Sequence, residues 1–314
     1  MQTDIRLAPS PTSRPWLTIR RRRTLEGYLF LLPWALGLLL FIGGPMVASL
    51  GLSLTRYNIA QPPQFVGLDN YVRALTRDQL FWPSLGRTFL FAFVMVPLGV
   101  TTSLLLASLL NVALKGTRIY RTLYFLPHLI PGVAAAIVWR AVLQRDVGVL
   151  NQLLALVGVR GPSWMGTVEW AIPAVMLIAL WQNAGGNRMI IFVAGLQGVP
   201  HELYEAAEID GAGAWAKFQH VTIPMISPAI FFNLVLGVIG ALKVFTIAFV
   251  ATKGGPAYAT WFFALHIYTQ AFEYFNLGYA AALSWVFFVI MLAFTFAQFR
   301  VSRHWVYYSG EDRA

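Results

Sequence analysis

Long apolar runs, separated by short polar segments, dominate the hydropathy pattern of this chain. A helix needs about 20 mostly apolar residues to cross a hydrocarbon core. Six stretches qualify: 28–51, 87–111, 120–142, 169–196, 224–250 and 278–300. Charges interrupt them rarely, and turn-rich segments such as Gln61-Pro62-Pro63 and Lys253-Gly254-Gly255-Pro256 lie between them. The pattern predicts an all-α integral membrane protein with six transmembrane helices, so that both termini share one side. A tail covers residues 1–27, the six-span domain 28–300 and a second tail 301–314. The apolar run after Thr24 lacks a small-residue cleavage site and is expected to remain as the first span.

Composition agrees with that pattern. Of 314 residues, 58% are hydrophobic and only 11% charged, against roughly 25% charged in an average soluble domain. Aromatic residues are plentiful, and amphipathic rings collect at the headgroup level of a bilayer. The net charge of +10 is explained by topology. Arg20 to Arg23 precede span one, Lys115, Arg118 and Arg121 crowd the loop after span two, and Arg300 and Arg303 follow span six. The positive-inside rule makes that face, and both termini with it, cytoplasmic. The segments 52–86, 143–168 and 251–277 then lie outside. A nucleic-acid arm is the other reading of Arg20 to Arg23, and nothing else in the chain accompanies it, so no nucleic-acid partner is expected.

Catalytic and cofactor signatures are missing. Without cysteine the chain has no disulfide, thiolate metal site or cysteine nucleophile. No Gly-x-x-x-x-Gly-Lys-Ser/Thr phosphate loop occurs, the five His at 128, 201, 220, 266 and 304 lack ligand spacing, and there is no Gly-x-Ser-x-Gly elbow. The sequence therefore describes a non-enzymatic protein that binds no cofactor or metal.

The segment 198–224 stands apart. Four of the thirteen acids, Glu202, Glu205, Glu208 and Asp210, fall in it, on a face where the other loops are basic. Pro200 suits the first turn of a helix and the acids favour its N-terminal dipole. Gly211 and Gly213 supply a stop, after which Ala214 to Phe218 begin a second short helix. The small Ala206 and Ala207 allow close approach by another surface, and Trp215 adds apolar contact. Two roles stay open on these residues alone: a docking knob for another protein, or an interfacial elbow lying on lipid, where the acids would meet an anionic leaflet.

This stretch resembles the EAA loop of permease subunits in binding-protein-dependent ABC importers, patterned Glu-Ala-Ala, three residues, Gly, nine residues, Ile, any residue, Leu-Pro. Glu205-Ala206-Ala207, Gly211 and Pro224 fall at that spacing, with Val221 and Ile223 in place of Ile and Leu. Further fragments resemble the carbohydrate branch, of the maltose and glycerol-phosphate permease type: Phe65-Val66-Gly67-Leu68-Asp69-Asn70-Tyr71, Arg121-Thr122 with Leu126-Pro127 and Trp139, Ala194-Gly195-Leu196-Gln197 with Pro200, and Thr252 to Pro256. The resemblance implies a type I importer permease fold of the MetI-like kind in the cell membrane. It implies that the elbow is a cytoplasmic coupling helix, with Glu205 its ionic anchor, Ala206 and Ala207 its packing face, and Asp210, Gly211 and Pro224 completing it. It also implies partners: a dimer of ATP-binding subunits that uses ATP and Mg, a second homologous permease subunit, an extracytoplasmic solute-binding protein and membrane lipid.

Polar residues inside spans usually face a cavity or another helix. In span four these are Trp181, Gln182, Asn183, Asn187 and Arg188, with Asn183 and Asn187 one turn apart on one face. In span five they are Asn233, Lys243 and Thr246, the last two also sharing a face. The resemblance implies that these spans line a sugar-binding cavity with Trp181 stacking on a ring. Interhelical hydrogen bonding is the other use of the same residues. Ala241 and Val244 stand where sugar permeases can carry polar contacts, and Lys243 with Arg188 points instead to an anionic solute such as a phosphorylated polyol. An ion-gradient-driven secondary transporter is the rival class. Such proteins often carry acids within their spans, whereas the charges here are basic.

Overall fold

The computed structural model describes residues 19–111 and 116–307. Lys115 and the tail residues 1–18 and 308–314 lie outside the described residues. The chain divides into two compact units, Met1–Gly51 and Leu52–Ala314, each treated by itself below.

In the first unit, α1 (Ile19–Leu38) runs through a single π turn, Leu39–Gly43, into α2 (Gly44–Ser53). Pro45 explains the π turn. It lacks an N–H and its ring crowds the carbonyl four residues back, so the helix opens and Gly44 N–H bonds to Leu39 O instead. The first described residues, from Ile19, are already helical.

The second unit starts with a departure from the all-α expectation, a two-stranded antiparallel hairpin of β1 (Thr55–Asn58) and β2 (Gln61–Phe65). Pro62 and Pro63 are tolerated because β2 pairs on one edge only. The helix α3 (Asp69–Thr76) clips this hairpin to the start of the second unit: Asn70 Nδ2 donates to Ser53 O and Thr55 O, both at 2.8 Å, and Tyr71 meets Ser53 Oγ at 2.7 Å. The segment Phe65 to Tyr71 is thus a structural clasp.

The 30-residue α4 (Phe81–Leu110) is the central strut. After it come α5 (Thr117–Leu129), α6 (Gly132–Val142), α7 (Val149–Leu156), α8 (Val168–Asn183) and α9 (Asn187–Gln197). Next are α10 (His201–Ile209), α11 (Ala214–Lys217) and α12 (Ile223–Met225). The chain ends through α13 (Ser227–Leu242), α14 (Thr246–Ala251), α15 (Phe263–Tyr268) and α16 (Leu277–Ser302). α4 packs along α8, α9 and α13. One core cluster joins Phe81, Phe91, Ile178, Leu242, Phe262 and Leu283, and a second joins Val100, Met189, Phe192, Leu196 and Ile226.

Among the described residues, four helical runs are long and apolar enough to cross a membrane: Arg23–Ser53, Phe81–Leu110, Ser227–Ala251 and Leu277–Ser302. A fifth qualifies if α5 and α6, bent by 95°, count as one span. This corrects the expectation of continuous spans over 120–142 and 169–196. The first breaks at Ile130-Pro131, because the residue before a proline leaves the α region and Ile130 sits at φ −72°, ψ 125°. The second breaks between Asn183 and Asn187, where Gly185 and Gly186 stand.

At the N-terminal end of α4, Asp78 gathers two distant helices, α15 and α16. His266 Nδ1 accepts from Trp261 Nε1, which leaves its Nε2–H to donate to Asp78 Oδ2 at 2.8 Å. Tyr279 OH donates to the same oxygen and Leu80 N–H to Oδ1. Burial would push the Asp78 carboxyl up, but the hydrogen bonds from His266, Tyr279 and Leu80 outweigh it and hold it well below the usual carboxylate range.

Candidate functional site

The acidic elbow is built as a complete helix stop. Pro200 caps α10, Glu202 lies in its first turn, and Gly211 sits in the left-handed region at φ +79°. Ala212 N–H bonds to Ala207 O at 2.8 Å and Gly211 N–H to Glu208 O at 3.0 Å, the paired bonds of a Schellman motif. Lys217 of α11 reaches back to Glu208, and this ion pair lowers the Glu208 pKa. Tyr204 OH meets Thr222 Oγ1 at 3.0 Å, so four contacts close the elbow on itself.

The second arm begins at Ala214, as expected, and extends beyond α11. α11 continues through a π turn, Phe218–Thr222, into α12 and leads directly to α13. Pro224 causes the π turn as Pro45 does in the first unit, and Ile223 N–H bonds to Phe218 O. Behind the elbow, Met189, Phe192 and Leu196 of α9 and Ile226 before α13 are buried together against Val100 and Leu110 of α4. The elbow is therefore joined at both ends to helices that pack on the central strut. Its outward surface carries Glu205, which His201 Nδ1 meets at 3.0 Å, the exposed Ala206, the half-buried Ala207 and the exposed Asp210. Ile209 is 87% exposed and Trp215 72%, an apolar pair on an otherwise acidic knob.

Three helix breaks meet at a cavity of about 290 Å³: α5 to α6, α8 to α9, and α13 to α14. Backbone groups freed by a break at membrane depth need partners. Gln182 Nε2 donates to Ile130 O at 2.7 Å and Ser103 Oγ to Ala184 O at 2.8 Å. Glycine lets the broken ends approach. A Cβ on Gly185 would lie 2.1 Å from Tyr124 O, and one on Gly186 2.7 Å from His128 Nδ1.

Of the candidate path residues, Asn183, Lys243 and Thr246 line this cavity, together with Gln182 and Arg188. Trp181, Asn187 and Asn233 are not among its lining residues. Trp181 stands edge-on to Trp139, with ring centroids 5.5 Å apart. Asn187 is the exposed first residue of α9, and Asn233 is fully buried with Nδ2 donating to Ala229 O at 3.0 Å. The breaks also correct the expected pairings: Asn183 ends α8 while Asn187 starts α9, and a turn separates Lys243 from Thr246, so neither pair shares one helix face. Ala241 and Val244 do line the cavity. Its aromatic walls, Phe91 and Phe245, had no polar signature in the sequence to single them out.

A family model described as "Binding-protein-dependent transport system inner membrane component" matches residues 85–307. The chain is 41% identical over 296 residues to the probable ABC transporter permease protein YesP of Bacillus subtilis (strain 168), covering 93% of this chain and 95% of that protein. It is 36% identical over 289 residues to the trehalose/maltose transport system permease protein MalF of Thermococcus litoralis, covering 91% and 96%. A chain in the crystal structure of a bacterial ABC transporter involved in the import of the acidic polysaccharide alginate superposes with a TM-score of 0.79 at 26% identity, covering 90% of this chain and 96% of that one.

Proposed function

The chain belongs to the binding-protein-dependent transport system inner membrane component family, and from that premise we propose that it is the permease of an ATP-driven importer of a sugar or sugar-like solute. It is a multi-pass protein of the cell membrane. In this reading the 28–300 domain crosses the bilayer six times in a type I importer fold, with α5–α6 and α8–α9 forming the two broken crossings and both termini cytoplasmic. A second homologous permease subunit completes the pathway, and an extracytoplasmic solute-binding protein delivers the solute. The chain catalyses nothing. A dimer of ATP-binding subunits supplies the energy from ATP and Mg.

The observation that carries this reading is the elbow. It projects acidic and apolar side chains together, is closed by its own hydrogen bonds, and is continuous with helices that pack on α4. Closure of the ATP-binding subunits would be transmitted through α10 and α11 to α9 and α13, whose ends border the cavity. Rigid-body rocking then opens the cavity to alternate sides. The coupling residues are Glu205, Ala206, Ala207, Asp210, Gly211 and Pro224. The solute path includes Asn183, Lys243 and Thr246; Trp181, against Trp139, and Asn233, bonded to Ala229 O, belong to the surrounding helices.

Reconstitution of the complete complex in proteoliposomes tests this. Uptake should require ATP inside or outside according to orientation, stop with vanadate, and persist when ionophores collapse proton and sodium gradients. Uptake that ignores ATP and follows an ion gradient would establish a secondary transporter instead.

A further inference from the structure

The cavity carries charge that its walls do not balance. Arg188 and Lys243 both line it, and no Asp or Glu is among its lining residues. Neither cation takes part in an ion pair with a described residue, and Arg188 makes no side-chain hydrogen bond to one, although a guanidinium carries five N–H donors. A cation at membrane depth is costly unless something pairs with it.

The guanidinium also has a seat. A Cβ on Gly99 of α4 would lie 2.4 Å from its Nη1, and one on Gly237 of α13 would lie 3.4 Å from its Nη2. Two glycines on facing helices thus leave the slot that the head group fills, beside the cavity rather than out towards an interface. Lys243 stands at the C-terminal end of α13, where a helix dipole favours a cation, with its side chain exposed. Asn183 and Thr246 add groups suited to hydroxyls, and Phe91 and Phe245 offer ring faces.

Resting on the importer reading above, we infer that this cavity selects an anionic solute, a sugar or polyol whose carboxylate or phosphate oxygens pair with Arg188 and Lys243. A neutral sugar leaves both cations without a counter-charge. An oxyanion satisfies them as it enters, and the bidentate fork of Arg188 matches either carboxylate or phosphate.

The test uses the complete complex in proteoliposomes with three probes: trigalacturonate for the carboxylate, glycerol 3-phosphate for the phosphate and maltotriose as the neutral reference. One anionic probe should be taken up, and which one identifies the source of the oxyanion. Arg188→Met and Lys243→Met should each lower kcat/KM for that probe by about 10- to 100-fold, the range of a lost charge-assisted hydrogen bond. Arg188→Lys should recover part of the loss. Gly99→Ala keeps the charge but displaces the guanidinium, and should also lower anion uptake. If Arg188→Met does not assemble, Lys243→Met on its exposed turn gives the same readout. Uptake of maltotriose alone, or unchanged anion uptake in Lys243→Met, overturns the proposal and leaves the importer reading standing. Absence of ATP hydrolysis stimulated by the binding protein would overturn that reading itself.

Discussion

Substitutions at Gly211 separate backbone conformation from bulk as the property the elbow requires. Gly211 sits at φ +79°, and a Cβ added there meets nothing within 4 Å. The cost of a side chain is therefore conformational: about 1–2 kcal/mol for an ordinary L-residue in the left-handed region, less for Asn and more for a β-branched residue. The alternative is to open the stop and lose the Ala212 to Ala207 and Gly211 to Glu208 bonds, at roughly 1 kcal/mol each, which has the same magnitude. Gly211→Ala should lower the closed-to-open equilibrium by about 5- to 30-fold. Hydrogen exchange of a peptide spanning the Ala212 amide reads this directly, and protection should fall in the order Gly, Asn, Ala, Val. Solute transported per ATP hydrolysed should follow the same order. If Asn proved worse than Ala, loss would track size, and the conformational argument would be refuted.

Three further outcomes follow from the packing. Gly185→Ala places a Cβ 2.1 Å from the Tyr124 carbonyl oxygen, so α5 must move away from the break after α8; the yield of assembled complex should fall sharply, whereas Gly27→Ala, with nothing within 4 Å, should not change it. Asp78→Ala leaves His266, only 1% exposed, and Tyr279 without their acceptor; it should destabilise the protein by about 3–5 kcal/mol, read as a lowered Tm. Because the folded pKa of Asp78 is depressed, the stability it contributes is fully present above the unfolded carboxylate value of about 3.9 and declines as pH falls below it. The wild-type Tm should therefore lose this contribution below about pH 4, while Asp78→Ala shows a flatter acid limb.

How far the sequence reaches depends on the range of the interaction. The runs at 28–51, 87–111, 224–250 and 278–300 match helices because hydrocarbon imposes length and apolarity on each segment independently. The elbow was legible for a similar reason: Pro200, Gly211 and the acids act within one or two turns of each other. Breaks were harder. Pro131 and the pair Gly185-Gly186 are local signals, but a hydropathy window averages over them and joins α5 to α6 and α8 to α9. With the breaks went the supposed shared faces of Asn183 with Asn187 and of Lys243 with Thr246. Contacts between distant segments left no local trace. Asp78 and Tyr279 lie 201 residues apart, and only the folded chain brings Gly99 and Gly237 to the same guanidinium.

The most direct test of the elbow as the point where work enters uses the absence of native cysteine. A single Ala206→Cys variant, paired with a cysteine at the membrane-facing cleft of the ATP-binding subunit, should form a disulfide crosslink in the assembled complex. The crosslink should change in yield between nucleotide-free and ATP-bound states and should block transport reversibly. If Ala206→Cys stayed uncrosslinked and open to a soluble thiol reagent in both states while the complex transported normally, the elbow would not be the coupling element.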